Sequence, residues 1–236
     1  MRRVSTGIEG LDELIGGGFP EGRIILVVGG PGTGKTLFSM QYLYHGATKL
    51  GEKGIFVSLD ETAKKLKDNM ALFGFDIDKP QKEGKISILE LTPTQFISIK
   101  PSGLMHLLKD IVKSSSDVKR LVLDPITSMV IQEKDIYHRR LEIVRLFSFL
   151  SDIGCTTVVT SESRFSLLRR KFNVEEFLSD GVIILHKFVL KGRVIHAVQV
   201  EKMRGVIHDT QLHPYRVLKD KGIVVYPKEY VIELQQ

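Results

Sequence analysis

The stretch "LVVGGPGTGKT", Leu26 to Thr36, sets four glycines and a proline between an aliphatic run and a Lys-Thr ending. A core strand is not built this way, because Gly and Pro weaken or interrupt its ladder. A plain surface turn has no need of the Lys-Thr ending. Gly29 to Thr36 match G-x-x-x-x-G-K-S/T, with the apolar run "RIILVVG" (23–29) before and apolar residues at 37, 40, 44 and 47 after. The context is therefore a strand, a glycine loop and an amphipathic helix. Glycines let backbone N–H groups turn onto phosphate oxygens with no Cβ in the way. The helix N-terminus adds its partial positive charge. Candidate nucleotide contacts are Gly29, Gly30, Pro31, Gly32, Thr33, Gly34, Lys35, Thr36 and Leu37. Lys35 is placed to meet the β- and γ-phosphates, and the Thr36 hydroxyl to meet Mg²⁺.

Outward from this loop, aliphatic runs alternate with helical patterns. Strands are predicted at 54–59, 85–91, 120–124 and 156–161, with a helix over 136–152. Leu66, Met70 and Phe73 fall on one helical face, and Leu104, Leu107, Leu108 and Ile111 on another. Such alternation predicts an α/β fold with a mostly parallel sheet covered on both faces. The tail differs. Two β-rich runs meet at Lys191-Gly192, and two more around Asp220-Lys221-Gly222, so antiparallel strands should extend the sheet.

Two strand ends carry acids. Asp124 closes "KRLVLD", the position from which a carboxylate serves the Mg²⁺ of a phosphate loop. The bland alternative is a turn cap ahead of Pro125. Asp60 and Glu61 close "FVSLDE" at the carboxyl edge, where α/β sheets bind ligands. Glu61 is the candidate base for an attacking water and Asp60 its helper, against a capping role before the next helix.

The chain has 236 residues, 42% hydrophobic and 26% charged, enough for one α/β domain over 1–236 without staples. Cys155 is its only cysteine, so no internal disulfide forms, and the run "GCTTVVT" reads it as a small core side chain. A net charge of +6 and a pI near 9.3 permit polyanion binding without demanding it. No run of apolar residues is long enough to span a membrane. Met1-Arg2-Arg3 is followed by "VSTGIEGLDE", which is not a signal core, so a cytoplasmic protein is expected.

The layout resembles the RecA superfamily of P-loop NTPases, and within it the KaiC-like ATPases. The matching stretches are "TGIEGLDELIGGGFPEG", "VSLDET", "KRLVLDPITS", "GCTTVVTSE", "VEEFLSDGVIIL" and "VEKMRGVIHD", over about residues 4–228. The resemblance implies a single-domain, three-layer RecA-like sandwich that binds and hydrolyses ATP with Mg²⁺ and releases ADP. It implies six-membered rings with the nucleotide between subunits, and a regulatory or conformational output. It puts Glu61 at the family's catalytic glutamate, with Asp60 where a Glu is usual. It puts Lys202 and Arg204 at the basic pair that a neighbouring subunit supplies, and His208 at a position near the nucleotide. Without the resemblance, Lys202 and Arg204 read as two exposed basic residues on one strand face. Glu176-Phe177 occupy the place of an autophosphorylated Ser-Thr pair in some relatives, so autokinase activity is not expected.

A second reading makes the chain a recombinase-like protein whose grip on single-stranded nucleic acid is set by ATP. Its support is the segment with Arg164, Phe165, Arg169, Arg170, Lys171 and Phe172. A helix with a solvated basic face is the favoured account of that segment. Thr160 and Ser161 read either as γ-phosphate sensors or as plain strand-edge hydroxyls.

Overall fold

The computed structural model describes residues 2–91, 93–115, 117–130, 135–162 and 173–231, with backbone alone for 93–101 and 130. Two short strands, β1 (Arg3–Val4) and β2 (Phe19–Pro20), pair antiparallel around α1 (Leu11–Leu14). β3 (Ile24–Gly29) leads into α2 (Lys35–Lys49). β4 (Lys53–Ser58) is followed by α3 (Ala63–Ala71) and α4 (Asp78–Lys82), and β5 (Ile86–Glu90) by α5 (Pro93–Ser114). β6 (Val118–Asp124) precedes α6 (Thr127–Val130) and α7 (Ile136–Ile153). After β7 (Thr156–Glu162) and α8 (Val174–Leu178) come β8 (Gly181–Leu190), β9 (Arg193–Met203), β10 (His213–Leu218) and β11 (Gly222–Val225).

The main sheet has nine strands in the order β11-β10-β9-β8-β3-β7-β6-β4-β5. From β8 to β5 every neighbouring pair is parallel, and β9, β10 and β11 attach antiparallel. The expected extension of a parallel sheet by C-terminal hairpins is thus observed. Lys191 and Gly192 both take positive φ, 47° and 76°, the twist a two-residue hairpin needs.

β3 lies in the middle, buried at all six residues. Its side chains alternate between two cores, as strand geometry dictates. Ile25 and Val27 pack with α2 and α3, while Ile24, Leu26 and Val28 pack with α5 and α7. Helices therefore cover both faces, giving three layers. Cys155 is buried in the second core, where burial pushes its thiol up to about 11 and leaves it a core filler. α3 stops at Ala71, ahead of Gly74 at φ 81°, so Phe73 packs on the core from the turn rather than from the helical face expected for it.

Among the described residues Arg120 is the largest fully buried side chain. Its Nε donates to Glu52 Oε2 at 2.6 Å, and its Nη1 to the carbonyls of Ser5 at 3.0 Å and Tyr42 at 2.7 Å. The guanidinium also lies 4.4 Å from the centroid of the Tyr42 ring. It thereby clamps the body of α2 to β6. Glu52→Ala should lower unfolding free energy by about 3–5 kcal/mol, because it strands a buried charge. A drop in the denaturant midpoint at unchanged slope would register this.

Candidate active site

Glycine is obligatory at the end of β3. A Cβ on Gly29 would sit 2.5 Å from Thr33 Oγ1 and 2.8 Å from the Leu185 carbonyl. Gly34 turns the chain into α2 at φ 86°, in the left-handed region. The loop is braced from within and from β10. Thr33 Oγ1 donates to the Gly30 carbonyl at 2.9 Å, and the Tyr215 hydroxyl donates to the Thr33 carbonyl at 2.6 Å. Lys35 Nζ folds back onto the Gly29 and Gly30 carbonyls at 3.0 and 3.1 Å. The Leu37 side chain is in the core, so only its backbone can face a ligand.

A cleft of about 370 Å³ opens beside this loop. Pro31, Gly32, Gly34, Lys35 and Thr36 line one side, and Ser58, Asp60, Glu61, Asp124, Pro125 and Glu162 the other. Parallel β4, β6 and β7 bring their carboxyl ends to it. Asp124 is 6% exposed, and its Oδ1 accepts a hydrogen bond from Thr160 Oγ1. Burial raises its pKa, opposed by hydrogen bonds from Thr160 and Thr36 and by the Lys35 charge. Burial likewise lowers the pKa of Lys35, opposed by Glu162 and Asp124.

Glu61 is fixed by the backbone around it. The Leu59 amide donates to the Asp124 carbonyl at 2.8 Å, Ser58 Oγ to the Glu61 carbonyl, and the Ala63 amide to Glu90 Oε2 at 2.8 Å. Glu61 Oε2 is buried and has no hydrogen-bond partner among the described residues. Asp60 is exposed, and its Oδ1 accepts from Ser128 Oγ. The helix-capping role belongs to Thr62, whose Oγ1 accepts from the Lys65 amide, and not to either acid.

The structure thus gathers the loop residues, Asp124, Asp60 and Glu61 around one cleft, and none of Lys202, Arg204 and His208 lines it. Met203 stands opposite Gly181, which stands opposite Ile25, while the loop begins at Gly29. Four strand residues separate the two levels, about 13 Å along β3. Lys202 is half-buried rather than free on the surface. Its Nζ donates to the carbonyls of Glu176 at 2.9 Å, Phe177 at 3.3 Å and Ser179 at 2.6 Å. Arg204 is exposed, and its Nη2 donates to the Phe177 carbonyl at 3.0 Å. His208 Nδ1 lies 3.0 Å from the Val206 carbonyl, and its Nε2 is buried without a described partner. The basic segment 164–171 lies outside the described residues.

Sequence reasoning missed Glu162, Ser128 and Tyr215. Glu162 carried a legible signal, since it ends a strand just as Asp124 does. Thr160 and Ser161 lie at the carboxyl end of β7, where both are buried and both donate to carboxylates.

The family model described as "ATPase: KaiC" matches residues 4–230. The chain belongs to the KaiC ATPase family. A "UPF0273 protein" of Thermotoga maritima is 36% identical over 97% of this chain and 98% of its own length. The "Circadian clock oscillator protein KaiC" of Prochlorococcus marinus subsp. pastoris is 36% identical over 96% of this chain and 45% of its own. This KaiC-family chain therefore spans about half of that relative. A solved "KaiC-like protein" from Pyrococcus horikoshii superposes with a TM-score of 0.85 at 38% identity, covering 96% and 99% of the two chains. The fold is RecA-like α/β, and membership supports ATP binding by a P-loop ATPase. Among the described residues no helix is long and apolar enough to cross a membrane.

Proposed function

We propose that the chain hydrolyses ATP with Mg²⁺ at a site completed by a neighbouring copy of itself. The copies form a ring, of six by family resemblance, and hydrolysis drives a conformational or regulatory output. One observation carries this reading. Among the described residues that line the cleft, Lys35 is the one cation against four carboxylates, Asp60, Glu61, Asp124 and Glu162, and just outside that lining Lys187 Nζ lies against Gly32 of the loop. A pocket with that balance repels a polyphosphate unless cations are added. The loop, helix terminus and Lys35 supply donors for phosphate oxygens, and two further sources of positive charge complete the balance.

The first is the metal. Thr36 and Asp124 offer the hydroxyl and carboxylate oxygens that Mg²⁺ prefers. Burial raises the pKa of Asp124, and a bound dication would lower it by favouring the carboxylate. When bound, the ion would neutralise charge on the β- and γ-phosphate oxygens. The second is the neighbour. Lys202 and Arg204 do not line their own cleft and sit about four strand residues from its level, so a catalytic role for them requires a second subunit. Phe177 and Ile207, 64% and 99% exposed, sit beside Arg204 as apolar surface for that subunit to cover.

In the reaction, Glu61 takes a proton from water as the water oxygen bonds to the γ-phosphorus, and the bond from that phosphorus to the bridging oxygen breaks, the oxygen leaving on ADP. Lys35 and the neighbour's Arg204 balance the charge that develops. Asp60 holds the Ser58–Glu61 turn toward α6 through Ser128, and His208 stands on the presented segment beside Arg204. No described residue adds to the nucleic-acid reading.

Mixing two inactive variants tests the shared site. Glu61→Gln subunits keep the arginine they present, and Arg204→Ala subunits keep their own base. Turnover should reappear in the mixture, from clefts that combine an intact Glu61 with an intact neighbouring Arg204. Absence of rescue in co-assembled rings would overturn the trans assignment.

A further inference from the structure

Three consecutive side chains at the cleft end of β7 go to different places. Thr160 donates to Asp124, and Glu162 lines the cleft. Ser161, between them, points to the opposite face of the sheet, as strand alternation requires. There its Oγ donates to Glu175 Oε1 at 2.8 Å. Ser161 is 0% exposed and Glu175 6%. A carboxylate at that depth is tolerated only when hydrogen-bonded, so this tether is built into the fold.

Glu175 belongs to α8, and the far end of α8 is where Lys202 and Arg204 are held. The Glu176, Phe177 and Ser179 carbonyls accept the three N–H groups of Lys202, and the Phe177 carbonyl also accepts from Arg204. Asn173 and Glu176 close a capping box at the helix start. The short helix thus meets β7 at one side and grips the presented cations at the other. Val174 and Leu178 pack it onto the core beside α7, and the Ser161–Glu175 hydrogen bond ties it to β7.

We propose that Ser161 and Glu175 are positioning residues for the active site of the neighbouring subunit rather than for their own. They set the place of α8, and α8 sets the place of Arg204. The inference rests on the trans assignment above. The competing account is that Ser161, between two cleft-facing residues, supports its own cleft.

The rescue mixture separates the two, because each subunit has one duty in it. Glu61→Gln subunits only present the arginine, and Arg204→Ala subunits only supply the cleft. Ser161→Ala placed in the presenting subunit should cut rescued turnover by about 10–100-fold, the usual effect of misplacing a supported group. The same change in the cleft-supplying subunit should leave turnover unaltered. Ser161→Thr in the presenting subunit, which keeps the hydroxyl, should restore it. If a lone buried Glu175 unfolds the chain, the double change Ser161→Ala with Glu175→Leu removes both partners and should show the same asymmetry. Loss on the cleft-supplying side, equal loss on both sides, or no loss on either overturns the proposal. Failure of the parent mixture to turn over removes the trans assignment itself, and this inference with it.

Discussion

Arg204→Ala should lower ATP turnover by about 10³–10⁵-fold, the range an arginine finger commands. That corresponds to roughly 4–7 kcal/mol of transition-state stabilisation. The loss should fall on turnover at saturating Mg-ATP and hardly on ATP affinity. Arg204 does not line its own cleft, and in the proposed site the ground-state triphosphate would already have Lys35, the loop amides and the metal. The neighbour's arginine would then meet the charge that grows on the γ-phosphate oxygens during transfer. Local folding should survive the change, since Lys202 keeps its three carbonyl contacts on α8 and still holds the Phe177 carbonyl. Arg204→Lys should recover little, because a compact ammonium does not replace a planar fork of donors. Steady-state kinetics on assemblies sized in the presence of nucleotide provide the check. Undiminished turnover of Arg204→Ala would remove the neighbour from the chemistry.

Much of this geometry was legible from the residues. The glycine loop announces itself because close backbone packing excludes any Cβ at Gly29. Asp124 and Glu61 stand at strand ends, and strand ends of a parallel sheet share one edge. The hairpin at Lys191-Gly192 was readable because positive φ is needed there. Strand order was not, since aliphatic runs look alike and their neighbours are chosen by long-range packing. Arg120 shows the limit most plainly. Beside "LVLD" it reads as the polar start of a strand, yet it is buried by Glu52, Tyr42 and Ser5, partners 68 to 115 residues away in the chain. Local pattern carries no trace of such convergence. The same holds for the path from Ser161 to Glu175 and on to Lys202, which joins three segments that propensity treats separately. Lys202 and Arg204 posed a different problem. Their pattern alone favours two solvated cations, and only the register placing Met203 level with Ile25 shows which end of the sheet they occupy.

Glu61→Gln should reduce turnover by about 10²–10⁴-fold while ATP stays bound, because the amide cannot accept the proton that the carboxylate takes from water. The exchange preserves volume, and the Ser58 and Ala63 anchors of this turn involve the Glu61 carbonyl and the Glu90 carboxylate, not the Glu61 side chain. Structure should therefore persist. Electrostatics push affinity the other way from rate. The cleft lining loses one of its four carboxylates against a single lysine, so the triphosphate meets less repulsion and should bind at least as tightly. A variant that holds ATP more firmly and cleaves it far more slowly is the expected combination. Asp60→Asn should behave differently. Asp60 is exposed and engaged with Ser128, so its loss perturbs position and not proton transfer, and the rate should fall by less than for Glu61→Gln. Nucleotide affinity by calorimetry, paired with phosphate release in a single turnover, separates these outcomes. If Glu61→Gln released phosphate at the parent rate, the unpartnered Oε2 would have to serve something other than water, and the base would have to be sought in Glu162, the remaining carboxylate that lines the cleft and has no other assigned part.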